Sequence, residues 1–133
     1  MPDLLDALAD AWSGGDVETF VALFTDDCFY EDVPLGLSAS GKEELRAFVT
    51  PLMAASPDFR LRLTSKVVAG DRGGTEWEMT GTHEGDLPGL PRTGKRFQVR
   101  GASALDLAGD RIRRCTDYWD LAIFLRQLGF ITD

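Results

Sequence analysis

The run Asp117-Tyr118-Trp119-Asp120-Leu121 marks the point where a two-residue side-chain repeat gives way to a helical one. We predict a strand over 111–119 and a helix over 121–128, because side chains alternate in the first segment and apolar residues recur at helical spacing in the second. Asp120 directly precedes the helix, so its carboxylate can accept hydrogen bonds from the first backbone N–H groups. Asp117 lies too far back for that role and needs a different explanation.

Helical spacing dominates the first part of the chain, and strand-like alternation follows it. The earlier helices are predicted from Leu4 to the pair Gly14-Gly15, over 17–25 and over 41–55. The other strands are predicted over 28–33, 58–69, 75–84 and 95–107. Asp16 is a predicted N-cap, and Ser40 and Glu43 have the spacing of a capping box.

This order of elements predicts a single α+β domain over 1–133. We expect a strongly curved, mostly antiparallel sheet wrapped on the N-terminal helices. The concave end of such a sheet is a natural place for a small-molecule pocket.

The composition is that of an ordinary globular chain, and it excludes several classes of partner. The 14 basic and 22 acidic side chains give a net charge of −8, which argues against nucleic acid and an anionic membrane as partners. No apolar run reaches the length of a membrane span, and the start of the chain lacks a signal-peptide pattern. We therefore expect a soluble, cytoplasmic protein in which Cys28 and Cys115 are reduced, small apolar residues.

The motifs offer no support for metal or cofactor chemistry. The chain has 1 histidine, which excludes a multi-histidine metal site, and it lacks the glycine-rich motifs of nucleotide binding. No Ser–His pair stands in a nucleophile-elbow context. We expect no metal and no cofactor, and acid–base chemistry by carboxylate, tyrosine and histidine side chains.

Asp117 is a polar residue on the face of the predicted strand 111–119 that is otherwise apolar. By alternation it lies with Cys115 and Trp119, whereas Thr116 and Tyr118 point the other way. An apolar setting raises the pKa of a carboxyl group and makes it a usable general acid or base near neutral pH. The alternative is a surface carboxylate that pairs with an arginine of a strand.

His83 ends a face that also carries Trp77 and Met79. It stands at the mouth of a loop rich in glycine and proline, where it can serve as a proton shuttle or as a hydrogen-bond donor to a substrate. The alternative is a hydrogen-bonded core residue. Glu84 and Asp86 follow it in the loop, where carboxylates are usually solvated.

Tyr30 and Asp32 share one face of the strand predicted over 28–33. A phenol beside a carboxylate can polarise a carbonyl group and move a proton. The alternative is that Asp32 only supports the turn at Pro34. The residues expected to contact the substrate are Trp77, Met79, Phe97, Ser103 and Trp119.

Several short motifs are together similar to those of a known superfamily. They are Gly15-Asp16, Phe24-x-Asp26-Asp27, Gly81-x-His83-x-Gly85, Gly89-Leu90-Pro91-x-Thr93-Gly94-Lys95, Gly109-Asp110-Arg111-Ile112, Trp119-Asp120-Leu121 and Gln127-Leu128-Gly129. The first two resemble the nuclear-transport-factor-2-like superfamily, and the others resemble its SnoaL-like polyketide cyclase branch. The resemblance covers nearly the whole chain. It implies a cone-shaped, cystatin-like α+β barrel and a homodimer that pairs through the outer face of the sheet.

Members of this superfamily imply different roles for the same residues. In the SnoaL-like cyclases an inward aspartate on the last strand is the general acid/base of an aldol closure. Asp117 matches that aspartate, and Ser103 stands where those enzymes have a histidine. The limonene-epoxide-hydrolase type is similar around Tyr30-x-Asp32-x-Pro34 and pairs two aspartates through an arginine. Asp117 and Asp86 match the aspartates, and Glu84 stands in place of the arginine.

Ketosteroid isomerase places its catalytic aspartate where Asp32 falls, whereas Leu8 and Ser103 stand at its oxyanion-hole positions. Because this fold hosts many chemistries, the resemblance alone does not fix the reaction.

The leading hypothesis is a cofactor-independent enzyme that carries out aldol-type cyclisation or isomerisation on an apolar carbonyl compound. Its catalytic residues would be Asp117, His83, Tyr30 and Asp32. The alternatives are an epoxide hydrolase and a non-catalytic module for small-molecule binding or dimerisation.

Overall fold

The structure is a computed structural model that describes residues 3–132. The helices are α1 (Leu4–Gly14), α2 (Val17–Val21), α3 (Gly41–Ala55) and α4 (Leu121–Leu128). The strands are β1 (Phe24–Asp32), β2 (Leu37–Ser40), β3 (Arg60–Ala69), β4 (Arg72–Thr82), β5 (Arg96–Ala108) and β6 (Arg111–Trp119). In this part of the chain, none of the helices is long and apolar enough to cross a membrane.

The strands form one curved, unclosed sheet in the order β2-β1-β6-β5-β4-β3. β1 pairs with β6 in parallel, and the other neighbouring pairs are antiparallel, which confirms the predicted α+β class. The parallel pairing aligns Asp32 of β1 with Asp117 of β6. The antiparallel pairings set Ser103 of β5 opposite Asp117, and Thr75 of β4 opposite Ser103. A row of polar side chains therefore crosses four adjacent strands.

The helices pack on the inner side of this sheet, with α1 against β3, α3 against β1 and β2, and α4 against β5. The buried apolar residues form two clusters. One cluster includes Leu5, Phe20, Phe24, Leu45 and Ile112. The other includes Trp77, Phe97, Val99, Phe124 and Leu128. The inner faces predicted for β4 and β5 are the buried ones. In β6 Cys115 and Asp117 are buried as predicted, but Thr116, which alternation assigns to the opposite face, is buried as well.

The helix predicted over 17–25 is wrong in its second half. Helix α2 ends at Val21, and β1 already begins at Phe24, where it pairs with Ile112 of β6. Phe20 and Phe24 are both fully buried, so long-range pairing decides a segment whose local spacing also suits a helix. Strand β2 was not predicted. It pairs with the end of β1 through Asp32 and Leu37.

Two of the three predicted helix caps are confirmed. Asp16 accepts from the backbone N–H of Glu18 at 3.0 Å, and Asp120 accepts from that of Ile123 at 3.1 Å. The predicted capping box is wrong, because the Ser40 side chain makes no cap hydrogen bond. Instead Glu44, one residue beyond the predicted partner, accepts from the Ser40 backbone N–H at 2.9 Å.

The inward face predicted for the strand over 58–69 holds only in its first half. The register of β3 against β4 shifts between Leu63 and Ser65, and Val67 is 64% exposed. The irregularity turns the later side chains of this edge strand away from the core.

Candidate active site

A cavity of about 110 Å³ lies between the inner face of the sheet and helices α1, α3 and α4. Its walls are mostly aliphatic and aromatic. The residues proposed from the sequence all line it: Tyr30, Asp32, Trp77, Met79, His83, Phe97, Ser103, Asp117 and Trp119. An apolar cavity of roughly 150 Å³ can hold benzene, so this space is of the order that a small apolar ring compound needs.

Asp117 is the polar group of the cavity with the most hydrogen bonds. The Tyr30 hydroxyl donates a hydrogen bond to Oδ2, and the Ser103 hydroxyl donates one to Oδ1 with an Oγ–Oδ1 distance of 2.6 Å. The thiol of Cys115 also reaches Oδ1, at 3.5 Å. These donors fix the carboxyl group of Asp117, a residue that is 9% exposed, at the cavity wall.

Trp77 determines which way the hydroxyl of Ser103 points. The indole Nε1–H donates to Ser103 Oγ at 2.9 Å, so the proton of Ser103 is directed to Asp117. At this position, where the family resemblance implies a histidine, the chain carries a hydroxyl that supports the aspartate. The sequence places Ser103 on the inner face but gives no sign of this contact.

Burial raises the pKa of Asp117 from 3.8 to about 6. The hydrogen bonds from Ser103 and Tyr30 oppose this rise, and the negative charge of Asp32 adds to it. Burial, followed by the charge of Asp117, raises the pKa of Tyr30 well above 10. At neutral pH Tyr30 therefore keeps its proton, while Asp117 is mainly ionised and close enough to its pKa to exchange a proton.

Asp32 is a second buried carboxylate of the cavity and also supports the turn after β1. Trp119 Nε1–H donates to Oδ2 at 3.2 Å, and the backbone N–H of Leu35 donates to Oδ1 at 3.0 Å. Burial raises its pKa, and these two donors oppose the rise. Among the described side chains, no cation is one of the leading causes of the pKa shift of Asp32 or of Asp117. Within residues 3–132 no group of His, Cys, Asp and Glu side chains could hold a metal ion.

His83 lies apart from this carboxylate cluster. It directly follows the end of β4, eight residues beyond Thr75, whereas Thr75 is the residue in register with Ser103. Its Nδ1 is 3.0 Å from Thr93 Oγ1, and its Nε2 is buried with no hydrogen-bond partner in the structure. The residues proposed as catalytic therefore divide into a cluster of three and a separate histidine.

The aromatic walls pack tightly against each other. The ring of Phe124 meets Phe97 at 5.1 Å and Trp119 at 5.3 Å between centroids, both edge-on. Trp77 lies on the backbone of Gly101, where an added Cβ would be 2.4 Å from the indole ring. The cavity also has walls that were not assigned to it from the sequence, including Leu5 and Leu8 of α1, although the apolar face of that helix was the available signal.

Asp86 and Glu84 stand outside the site. Both are exposed and neither lines the cavity. Asp86 accepts from the backbone N–H of Arg92 at 2.8 Å, and Glu84 is 3.8 Å from the Arg92 guanidinium. Matching Asp86 to the second aspartate of an epoxide hydrolase is therefore wrong, because the carboxylate in register with Asp117 is Asp32.

The curved sheet and its helices enclose an apolar cavity with two carboxylates at its wall. This is the architecture of a small-molecule-binding protein of the ketosteroid-isomerase-like fold. The family model of the SnoaL-like polyketide cyclases matches residues 2–128, so the chain belongs to this family. Family and fold support a cyclase- or isomerase-type role on a small molecule. No curated protein matches the sequence significantly.

Solved structures agree with this assignment. A Catenulispora acidiphila protein with a ketosteroid isomerase-like fold, in complex with trimethylamine, is 26% identical, with a TM-score of 0.86 over 100% of this chain and 99% of that one. A proposed polyketide cyclase of Pseudomonas putida is 26% identical, with a TM-score of 0.79 over 93% and 94%. IdmH, a proposed polyketide cyclase of Streptomyces antibioticus, is 25% identical, with a TM-score of 0.76 over 96% and 96%.

Proposed function

We propose that this protein is a cofactor-independent enzyme that moves a proton on an apolar carbonyl compound and thereby drives aldol-type cyclisation or isomerisation. The observation that carries the proposal is Asp117, a buried carboxyl group with a pKa of about 6 on the wall of an apolar cavity. A pKa near the working pH lets one group accept a proton in one step and return it in the next.

The reaction begins when the Asp117 carboxylate takes a proton from a carbon next to the substrate carbonyl. The C–H bond breaks, and its electron pair moves onto the carbonyl oxygen as an enolate. In cyclisation the enolate carbon attacks a second carbonyl of the same molecule, and protonated Asp117 gives its proton to the new alkoxide. In isomerisation the proton returns to a different carbon. Both sequences balance without an oxidant or reductant.

Tyr30 and Asp32 have opposite effects on the pKa of Asp117: the Tyr30 hydrogen bond lowers it and the Asp32 charge raises it. The Tyr30 hydroxyl stabilises ionised Asp117, and once Asp117 is protonated the same hydroxyl is released to donate to the enolate oxygen. The charge of Asp32 raises the pKa of Asp117 and makes it a stronger base. Tyr30 is then the polarising donor, and Asp32 adjusts the base.

Hydrogen–deuterium exchange tests the first step without knowledge of the natural substrate. The probe is 2-tetralone, an apolar aromatic ketone with acidic α-hydrogens, incubated in D2O and followed by NMR. We expect the protein to accelerate exchange and Asp117→Asn, with unchanged circular dichroism, to lose about 10²–10⁴ of that rate. Equal exchange by the two proteins, or none above buffer, refutes the proposal.

Epoxide hydrolysis is the weaker alternative. Asp32 and Asp117 supply an aspartate pair, but the cation that would bridge them is absent among residues 3–132. Styrene oxide in H₂¹⁸O separates the two reactions, because a hydrolase would place ¹⁸O in a diol. We expect no labelled diol above the buffer control.

Binding of a small organic cation is a second candidate function. The C. acidiphila protein is in complex with trimethylamine, and here two carboxylates share the cavity with the indole rings of Trp77 and Trp119. Such an arrangement favours a cation through charge and cation–π attraction. Calorimetric titration with trimethylammonium chloride tests it. Binding that disappears in Asp32→Asn and Asp117→Asn supports this function, and absence of heat removes it.

We further propose that two copies pair through the outer face of the sheet. Tyr118 is 50% exposed and Ile123 is 41% exposed, and both line a shallow outer groove with Glu76 and Arg100. Opposite charges beside apolar side chains suit a self-complementary twofold contact. Light scattering at micromolar concentration should give twice the chain mass, and Tyr118→Lys should restore one chain mass.

A further inference from the structure

The only histidine of the chain has one ring nitrogen that the protein leaves unsatisfied. We propose that His83 forms a second polar subsite, in which Nε2–H donates to an oxygen acceptor that the apolar ligand carries far from its reactive carbon. This inference rests on the proposed function and extends it, because it defines a class of substrate.

The contacts of Thr93 bear on the proton of the ring. Thr93 Oγ1 accepts from the backbone N–H of Lys95 at 3.2 Å and lies 3.0 Å from His83 Nδ1. We take Thr93 as the donor in the second contact, and nitrogen NMR measures the tautomer that this requires. With Nδ1 as acceptor, the neutral ring carries its hydrogen on Nε2. Backbone hydrogen bonds from His83 N–H to Lys95 O and from Gly94 N–H to His83 O hold the residue in place.

A buried donor without a partner is rare in a folded protein. Within residues 3–132 the side-chain atoms of this kind are His83 Nε2 and Thr116 Oγ1. His83 lines the cavity and Thr116 does not. The histidine is 1% exposed, so bulk water does not satisfy it, and because the residue lines the cavity we infer that a ligand bound there does.

Most of the donors near the carboxylates are engaged while Asp117 is ionised. Tyr30 and Ser103 both donate to Asp117, and the indole N–H groups of Trp77 and Trp119 donate to Ser103 and Asp32. The Thr75 hydroxyl lies at the carboxylate end of the cavity, so at a pH above the pKa of Asp117 His83 Nε2–H is the donor that serves the far end.

The wall between the two polar positions is apolar. Trp77 and Met79 lie on β4 between Thr75, at the carboxylate end, and His83. A matching ligand is an elongated ring compound with an acidic carbon at one end and a carbonyl, ether or hydroxyl oxygen at the other. A ligand without that oxygen leaves the buried donor unpaired and is disfavoured.

Nitrogen NMR tests this subsite directly, because a protein labelled with ¹⁵N-histidine shows one pair of ring resonances. The probes are acetophenone and ethylbenzene, which differ in the carbonyl oxygen, each added at pH 8. We expect the free protein to show the Nε2–H tautomer. Acetophenone should shift Nε2 saturably, and ethylbenzene should not. An Nδ1–H tautomer, or equal responses to both probes, overturns the proposal.

A matched pair of variants adds a second readout. The amide nitrogen of His83→Gln reaches the position of Nε2, whereas that of His83→Asn reaches the position of Nδ1 and Thr93. We expect His83→Asn to weaken acetophenone binding by about tenfold, His83→Gln to keep it, and ethylbenzene binding to stay the same in both. Equal losses in both variants contradict the subsite.

The binding measurements are repeated in Asp117→Asn, which cannot carry out the proposed proton transfer. A carbonyl-dependent shift of Nε2 that persists there supports the subsite whether or not 2-tetralone exchange is observed. Loss of exchange therefore reports on the proposed reaction, and loss of the Nε2 shift reports on His83.

Discussion

Tyr30 and Asp117 lie on the adjacent parallel strands β1 and β6, and the phenol donates a hydrogen bond to the carboxylate. The contact lowers the pKa of Asp117, whereas burial raises it. The basicity of Asp117 is therefore a balance between an apolar cavity and the hydrogen-bond donors at its wall.

Replacing Tyr30 with phenylalanine should raise the pKa of Asp117, because a hydrogen bond that lowers this pKa is lost while the burial that raises it remains. Tyr30→Phe keeps the ring that packs on Phe48 at 5.3 Å between centroids and removes the donor. In wild type the rate of 2-tetralone exchange should fall as pH drops through about 6, because Asp117 becomes protonated. In Tyr30→Phe the same fall should occur at higher pH. A pH profile that stays in place, or moves to lower pH, contradicts this account of Asp117.

Replacing Ser103 should move the pH profile of exchange in the same direction as Tyr30→Phe, because Ser103 donates to the other oxygen of the Asp117 carboxylate. Ser103→Ala removes the donor to Oδ1, which also lowers the pKa of Asp117, and leaves Trp77 Nε1 without an acceptor. We expect the acid limb of the exchange rate to move to higher pH. Ser103→Thr, which keeps a hydroxyl at this position, is the control and should retain the wild-type profile. Parallel shifts in both variants point to packing and not to the hydrogen bond.

The raised pKa of Asp117 should also appear in the pH dependence of stability. The folded pKa of about 6 lies above the ordinary aspartate value of 3.8, so the native state holds this proton more tightly than the unfolded state. The stabilisation is complete below about pH 4 and is lost as pH rises through about 6. Its full size is about 3 kcal/mol, from 1.36 kcal/mol per pKa unit.

Urea unfolding of wild type and Asp117→Asn from pH 4 to pH 8 measures this contribution. Because carboxylates outside the cavity titrate equally in both proteins, the difference between the two free energies of unfolding reports Asp117 together with its coupling to Asp32. We expect the variant to gain stability relative to wild type as pH rises. A difference that is flat with pH means that Asp117 titrates normally.

Gly101 should prove essential to the position of Trp77. An alanine Cβ at Gly101 would be 2.4 Å from the indole ring, which must then move away from Ser103. Overpacking of this kind costs about 1–3 kcal/mol in the free energy of unfolding. Gly74→Ala on β4 is the control, since its nearest neighbour would be 3.6 Å away. Comparable losses in the two variants indicate a general intolerance of alanine in these strands.

Alternation along single strands was sufficient to predict most of the inner wall. It assigns Trp77, Met79 and His83 to one face and Asp117 to the face of Trp119, because the side-chain period of a strand is two wherever the strand lies. It fails at β3, where a register irregularity after Leu63 turns Val67 outward.

Contacts between strands could not be predicted in this way, because they depend on register. The support of Asp117 by Ser103 requires the β5–β6 pairing, and the nearness of Asp32 requires the parallel β1–β6 pairing. The same long-range pairing explains the error at Phe24, whose spacing from Phe20 suits a helix until Ile112 is present. Local patterns therefore identify candidate side chains, and the topology decides which of them meet.

The parallel β1–β6 pair also has a consequence for the order in which the protein assembles. Tyr30 and Asp117 are 87 residues apart in the sequence, and contacts of such separation form slowly because a long loop must close first. During synthesis β1 cannot pair with β6 until residues 111–119 have been added to the chain. Ser103 reaches Asp117 through the β5–β6 pairing, but the Tyr30 donor is added only when β1 pairs with β6. Proton-transfer activity would thus report that the whole chain has folded, and no shorter fragment ending before β6 could show it.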